Sequence, residues 1–172
     1  PLRWSDFTPY RIASWLPTIC TEREDAPRLL ALLHHADGWV RLNAAKTLGW
    51  LGAKRAAAPI ARILSQAQAE ADYGFSGTFK DEEFNDPAPR WREGLVRALG
   101  LLGADDQTGL IVQILNDERS VLEVRHAAAD ALAQLDNRQA LAALGAAARN
   151  HSFHSIRVKA ADALRARGTL LP

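Results

Sequence analysis

The chain has 172 residues, 48% of them hydrophobic, and its 21 basic against 20 acidic residues leave a net charge of +1. That content suffices for one core, and the charge balance argues against attachment to nucleic acid or anionic lipid through bulk charge. No run nears the roughly 18 apolar residues of a membrane span, residues 1–6 lack the apolar core of a signal peptide, and the single cysteine, Cys20, can form no internal disulfide. A lone thiol fits the cytosol, so a cytoplasmic location is favoured. Two readings fit the missing initiator before Pro1: a methionine removed in processing, or a domain excised from a longer chain.

Thr8-Pro9 reads as an N-cap followed by proline at the first helical position, where its missing N–H costs nothing. The short helix it opens, with Tyr10, Ile12, Trp15 and Leu16, should stop before Pro17 and cap the open end of the helices beyond it. Asp25 is placed to cap the next helix, whose apolar face is Leu29, Leu30, Leu32 and Leu33. A turn at His35-Ala36-Asp37-Gly38 leads to a helix ending at Gly52, a residue suited to a left-handed C′ position. A helix from about Ala57 to Ala71 comes next, then one from Arg90 to Gly103, and then one capped by Asp106 that carries Leu110, Ile111, Ile114 and Leu115. Ser120-Val121-Leu122-Glu123 reads as a capping box opening a helix to Asp136; residues 138–149 form another, and a last helix closes at Gly168.

Four of these helices are one helix repeated. Aligning Leu48 with Leu99, Leu132 and Leu164, which stand 51, 33 and 32 residues apart, also aligns Arg41 with Arg92, Arg125 and Arg157. A period near 32 with one insertion is the signature of a stacked helical-repeat array. Positions 40, 44, 48 and 51 and their equivalents follow the 3, 4 spacing of a buried stripe. No single pair can bury both faces alone, so the pairs must stack.

The Val-Arg-x-x-Ala-Ala-x-x-Leu-Gly-x-Leu-Gly pattern at Val40 to Gly52 resembles the short HEAT-like repeat of the phycobilisome-lyase subtype, over about Asp25 to Gly168. The resemblance implies an all-α fold: a right-handed α-solenoid of about four HEAT-like helix pairs with an N-terminal capping helix. The expected layout is one domain over 1–172: cap 1–24, then repeats 25–52, 53–103, 104–136 and 137–168, with an inserted loop at 66–89. In such repeats the arginine is usually a structural ladder, paired with an acid in the preceding turn or a neighbouring repeat. Arg41, Arg92, Arg125 and Arg157 take that role here, with Asp37 as the best-placed acid; Asp117 precedes Arg125 less regularly, and the turn 150–153 has no acid. A phosphate-binding stripe is the alternative use of these arginines.

The resemblance also places the second helix of each pair on the concave face. The stripe there runs through Asn43, Lys46 and Trp50, then Arg97 and Leu101, then Asp130 and Gln134, then Asp162. It passes from apolar and basic to acidic, a gradient that would orient a charged partner, with Trp50 as the candidate anchor. Trp50, Lys46 and Arg97 together suit a carboxylate-bearing peptide or, through stacking and phosphate contacts, a nucleic acid; alternatively Trp50 lies on its own helix or under the Trp15 cap. In the insertion, Tyr73, Phe75, Phe79 and Phe84 are too apolar for ordinary disorder and either meet a partner or cover the array's own core. Its acids, Asp81, Glu82, Glu83 and Asp86, lack the alternating ligands of a calcium loop.

Chemistry is sparse. The di-iron hydroxylases among the relatives use His-Glu pairs, and the chain has no such dipeptide. His151 and His154, three apart, lack a third ligand nearby and read as a polar turn. No nucleophile elbow, P-loop or dinucleotide fingerprint occurs. The expectation is a non-catalytic protein- or peptide-binding scaffold without metal or cofactor. A bilin-lyase-like enzyme or enzyme subunit and a nucleic-acid-binding HEAT-like protein are the alternatives.

Overall fold

The computed structural model of the protein describes residues 23–35, 38–69 and 88–168, and the regular structure among them is helical. The capping helix expected near residues 8–16, Cys20, Asp37 and the aromatic residues Tyr73, Phe75, Phe79 and Phe84 lie outside the described residues. The helices are α1 (Ala26–Leu32), α2 (Gly38–Trp50), α3 (Ala57–Ala69), α4 (Ala88–Leu101), α5 (Thr108–Asn116), α6 (Leu122–Gln134), α7 (Arg138–Asn150) and α8 (His154–Ala166). Each even-numbered helix packs on the odd-numbered one before it, and α2, α4, α6 and α8 stack side by side in one row. This is an all-α solenoid with a two-layer wall.

The apolar stripe explains the layering. Val40, Ala44 and Leu48 of α2, Leu95 and Leu99 of α4, Val124, Ala128 and Leu132 of α6, and Ile156, Ala160 and Leu164 of α8 are buried. All but Val40 join Leu29, Ile60, Leu64, Ile111, Ile114, Leu115 and Leu144 of the first layer in one continuous cluster. Each fully buried leucine or isoleucine contributes about 1.5–3 kcal/mol, and few of them could be buried by one pair alone.

Small residues set how closely the row can approach. A Cβ on Gly100 would lie 2.8 Å from the Ala131 Cα of the next helix, and one on Gly49 would lie 3.3 Å from Ala98 Cα. Gly52 and Gly103 end α2 and α4 with φ of 63° and 59°. That left-handed turn lets the Ala53 N–H reach the Leu48 carbonyl at 3.0 Å and the Ala104 N–H reach Leu99 at 3.1 Å. The third signature helix leaves differently: Leu135 is extended and Asp136 stands where the others have glycine.

Three expected caps are not made. Asp25 precedes α1 without a side-chain bond to it. Asp106 lies inside a 3-10 turn, Asp105–Gln107, so Gln107 becomes the residue before α5. Val121, not Ser120, precedes α6, because the Ser120 hydroxyl donates to Asp117 Oδ2 (2.8 Å) and accepts from Arg92 (3.1 Å). Asn137, by contrast, caps α7 by accepting the Ala140 N–H at 2.8 Å, and its amide donates to Asp105 Oδ1 (2.7 Å) and Thr108 Oγ1 (2.8 Å) of the previous pair.

Candidate binding face

In three of the four pairs the repeated arginine answers the same need. The first helix of a pair ends with carbonyls that have no partner within the helix, at the negative end of its dipole. Arg41 donates to the His35 carbonyl at 2.7 Å, just beyond α1, and Arg125 Nε donates to Leu115 at 3.1 Å, in the last turn of α5. Arg157 donates to the carbonyls of His151 (2.5 Å) and Ser152 (3.1 Å) after α7. The guanidinium thus bridges the two helices of its own pair through backbone oxygen. An acid in the preceding turn is not the partner of Arg125: Asp117 accepts instead from Ser120 and from the Arg119 N–H (3.1 Å). Burial pushes the Asp117 carboxyl up, but the bonds from Ser120 and Arg119 and the Arg119 charge outweigh it, leaving the carboxyl below its ordinary value.

Two of the four arginines, Arg92 and Arg125, reach forward to the next pair. Arg92, buried, donates to Ser120 Oγ, and so leans indirectly on Asp117. Arg125, also buried, lies 2.9 Å from His151 Nε2 and 4.8 Å from the centre of the Phe153 ring. His151 therefore belongs to the seam between pairs three and four and not to an open polar turn: it is buried, and its Nδ1 accepts the Phe153 N–H at 3.1 Å. No local pattern signals this role, since the partners stand 26 residues apart.

On the other side of the signature helices several charges of the expected stripe pair with one another. Arg97 pairs with Glu93 on its own helix (2.9 Å) and with Asp130 on α6 (3.4 Å). Asp130 is shared with Lys159 of α8 at 2.5 Å, and Asp162 pairs with Arg165 at 2.5 Å. Basic and acidic residues that a linear reading sets at opposite ends meet across adjacent helices. Arg97 therefore leans toward α6, the far side from Trp50, instead of flanking it. His126 of α6 bonds Ser155 Oγ at 2.9 Å; burial chiefly, then the Lys159 charge, hold it below its ordinary 6.5 against the pull of Asp130 and Glu123.

The apolar residues of this stripe have a different fate. Trp50 is 62% exposed and Leu101 43% exposed. They occupy equivalent positions at the ends of α2 and α4, where Leu101 lies against the Gly49 backbone beside Trp50. Asn43 and Lys46 are half-buried, with the end of the Lys46 side chain lying over Gly94 of α4, while Gln134 and Asp162 are exposed. Among the described residues no three histidine, cysteine, aspartate or glutamate side chains converge as metal ligands, and no helix is long and apolar enough to cross a membrane.

The chain matches the HEAT repeats over residues 82–165 and the PBS lyase HEAT-like repeat over residues 40–66. No curated protein matches it in sequence. The two family matches fall on the helix pairs that carry the buried stripes, the repeated arginines and the close-packed glycines, and on that ground the chain is a HEAT-like repeat protein.

Proposed function

We propose that this protein is a non-catalytic scaffold that binds a protein or peptide on the outward stripe of its signature helices, the concave face of a HEAT-like array. HEAT repeats generally serve as scaffolds for protein interaction, and an array of stacked pairs offers the extended surface such binding uses. The observation that carries the reading is the Trp50–Leu101 pair, two large apolar side chains left in solvent on a face whose charges are otherwise matched. An exposed tryptophan beside an aliphatic neighbour is the residue type that dominates binding at interfaces. The inserted loop, through Tyr73, Phe75, Phe79 and Phe84, is a second expected contact.

A pull-down from the source organism, with the full chain as bait and mass spectrometry as readout, tests this. Trp50→Ala should weaken capture of the partner by more than about 1 kcal/mol with an unchanged helical circular dichroism spectrum. Replacing residues 73–84 with a Gly/Ser linker should weaken it as well. Undiminished capture by both variants would sink the proposal. A bilin-lyase-like enzyme subunit is the second reading, favoured by the match over residues 40–66. Covalent transfer of a bilin to an acceptor protein in the presence of the chain would put it first.

A further inference from the structure

The turn between α7 and α8 holds a buried histidine among donors and cations. His151 is 7% exposed, and each of its ring nitrogens faces an N–H: Phe153 donates to Nδ1 at 3.1 Å, and Arg125 lies 2.9 Å from Nε2. The Leu115 carbonyl is 3.2 Å from the same Nε2. A neutral imidazole has one N–H and one acceptor nitrogen. With the proton on Nε2 the ring donates to Leu115 and accepts from Phe153; with the proton on Nδ1 it accepts from Arg125. The imidazolium has two donors and no acceptor, so it loses Phe153 and Arg125 together and sets a second cation against a buried guanidinium. Among the described residues no carboxylate bonds to the ring to offset that charge.

We propose that His151 makes the seam between pairs three and four a pH-sensitive joint: the neutral ring clasps the turn 150–153 to α5 and α6, and a proton on it frees that turn and the start of α8 while the other pairs stay stacked. The groups around the ring favour this. Helix α5 contributes the Leu115 carbonyl and carries no charged residue. From α6 come Arg125 and His126, and His126 in turn faces Lys159, Asp130 and Glu123. From α8 come His154 and Arg157, 3.5 Å apart, with Arg157 donating to the His151 carbonyl. The seam between pairs two and three closes differently, through Arg92, Ser120 and Asp117 and through Arg97 and Asp130. Arginine and paired carboxylates keep their charge between about pH 5 and 8, where histidine changes its own. Lys159 to Asp130 and Arg167 to the Ala133 carbonyl cross the joint further along α8 and hold its later turns in place. The Phe153 ring, 4.8 Å from the Arg125 guanidinium, leaves with the turn. The joint lies three pairs on from Trp50 and acts whatever that face binds.

Amide hydrogen exchange on the full chain, read by NMR and corrected for the intrinsic pH dependence of exchange, tests the joint at about pH 7.5 and 5.5, on either side of an ordinary histidine. At the lower pH the amides of Phe153 and Arg157, which bond to His151 Nδ1 and to the Phe153 carbonyl, should lose about tenfold or more of their protection, while α4 keeps its own. His151→Asn can still accept the Phe153 N–H and does not titrate, so the difference between the two pH values should vanish. His151→Gln, which offers its acceptor to Arg125, should abolish the difference as well. The readout is that difference and not the level of protection, so a variant that is less stable at both pH values still reports. A loss that survives both His151 variants would overturn the inference. So would one that disappears with His126→Gln or His154→Gln alone, or one shared equally by α4, α6 and α8.

Discussion

Between Gly38 and Ala69, a stretch with Asp37 directly before it and Glu70 directly after, the chain carries five basic residues and no acidic one, whereas between Ala104 and Asp136 it carries seven acidic residues and two basic ones. Both stretches hold one signature helix and one helix of the first layer, joined to the same core. In the second stretch the polar residues reach outward to other repeats: Ser120 to Arg92, Arg125 to His151, Asp130 to Arg97 and Lys159, and Asp105 to Asn137. In the first, the hydroxyls of Thr47 and Ser65 turn back on carbonyls four residues earlier, and the largest apolar side chain of the outer stripe faces water. Among the described residues, one repeated helix thus fastens neighbouring repeats in the middle of the array and leaves a tryptophan in water near its start. The period is indifferent to the choice; the residues at the few positions off the stripe make it.

The largest expected effect is on the fastener. Arg125→Met would remove the guanidinium donor to the buried Leu115 carbonyl, leaving only His151 Nε2 at 3.2 Å, and the cation over the Phe153 ring, at a cost of about 2–3 kcal/mol in a denaturant titration. Trp50→Ala in the other region should cost no more than about 0.5 kcal/mol. Equal losses would erase the distinction between the two regions. Next comes packing within the middle pair: Ala128→Leu should overpack the core by about 1–3 kcal/mol, while Gln134→Leu, on the exposed side of the same helix, should cost little. Similar, negligible effects of both would mean that the face of α6 is misassigned.

The smallest effect is electrostatic. His126 has a folded value below its ordinary 6.5, so the unfolded chain binds its proton first as the pH falls. Its contribution is complete above 6.5 and is lost between that value and the lower folded one. Thermal stability should decline in that interval, and His126→Gln should flatten the decline. An unaltered slope would show that His126 is not its source.

Leu48, Leu99, Leu132 and Leu164 made the helix row legible, because a buried stripe imposes its spacing on the sequence directly. Gly52 and Gly103 were legible for a similar reason, since a left-handed residue at a helix end strongly favours glycine. Caps were not. Asp25, Asp106 and Ser120 have the right chemistry in the right place, but the Ser120 hydroxyl is taken by a guanidinium 28 residues away. The pairing within the charged stripe was hidden on the same ground: Arg97 and Asp130 are 33 residues apart in the chain and adjacent across two helices. His151 shares the difficulty, because contact between repeats leaves no local periodicity to read. The remedy is to compare each residue with its counterpart one repeat on, which sets Arg97 beside Asp130 and Trp50 beside Leu101.

Arg165 stands where earlier signature helices have Gly49, Gly100 and Ala133, and Arg167 stands where they have Leu51, Leu102 and Leu135. At the glycines the following helix comes within a few ångströms of the backbone, so a long charged side chain at that position denies a successor its seat. Arg165 is largely exposed and paired to Asp162, while Arg167 bends back to the Ala133 carbonyl at 2.6 Å. Stacked repeats meet head to tail, the geometry that polymerises into an open filament when both ends are sticky. Two arginines on α8 make its far side a poor seat for another helix, with the residue type that, elsewhere in the same array, holds its pairs together.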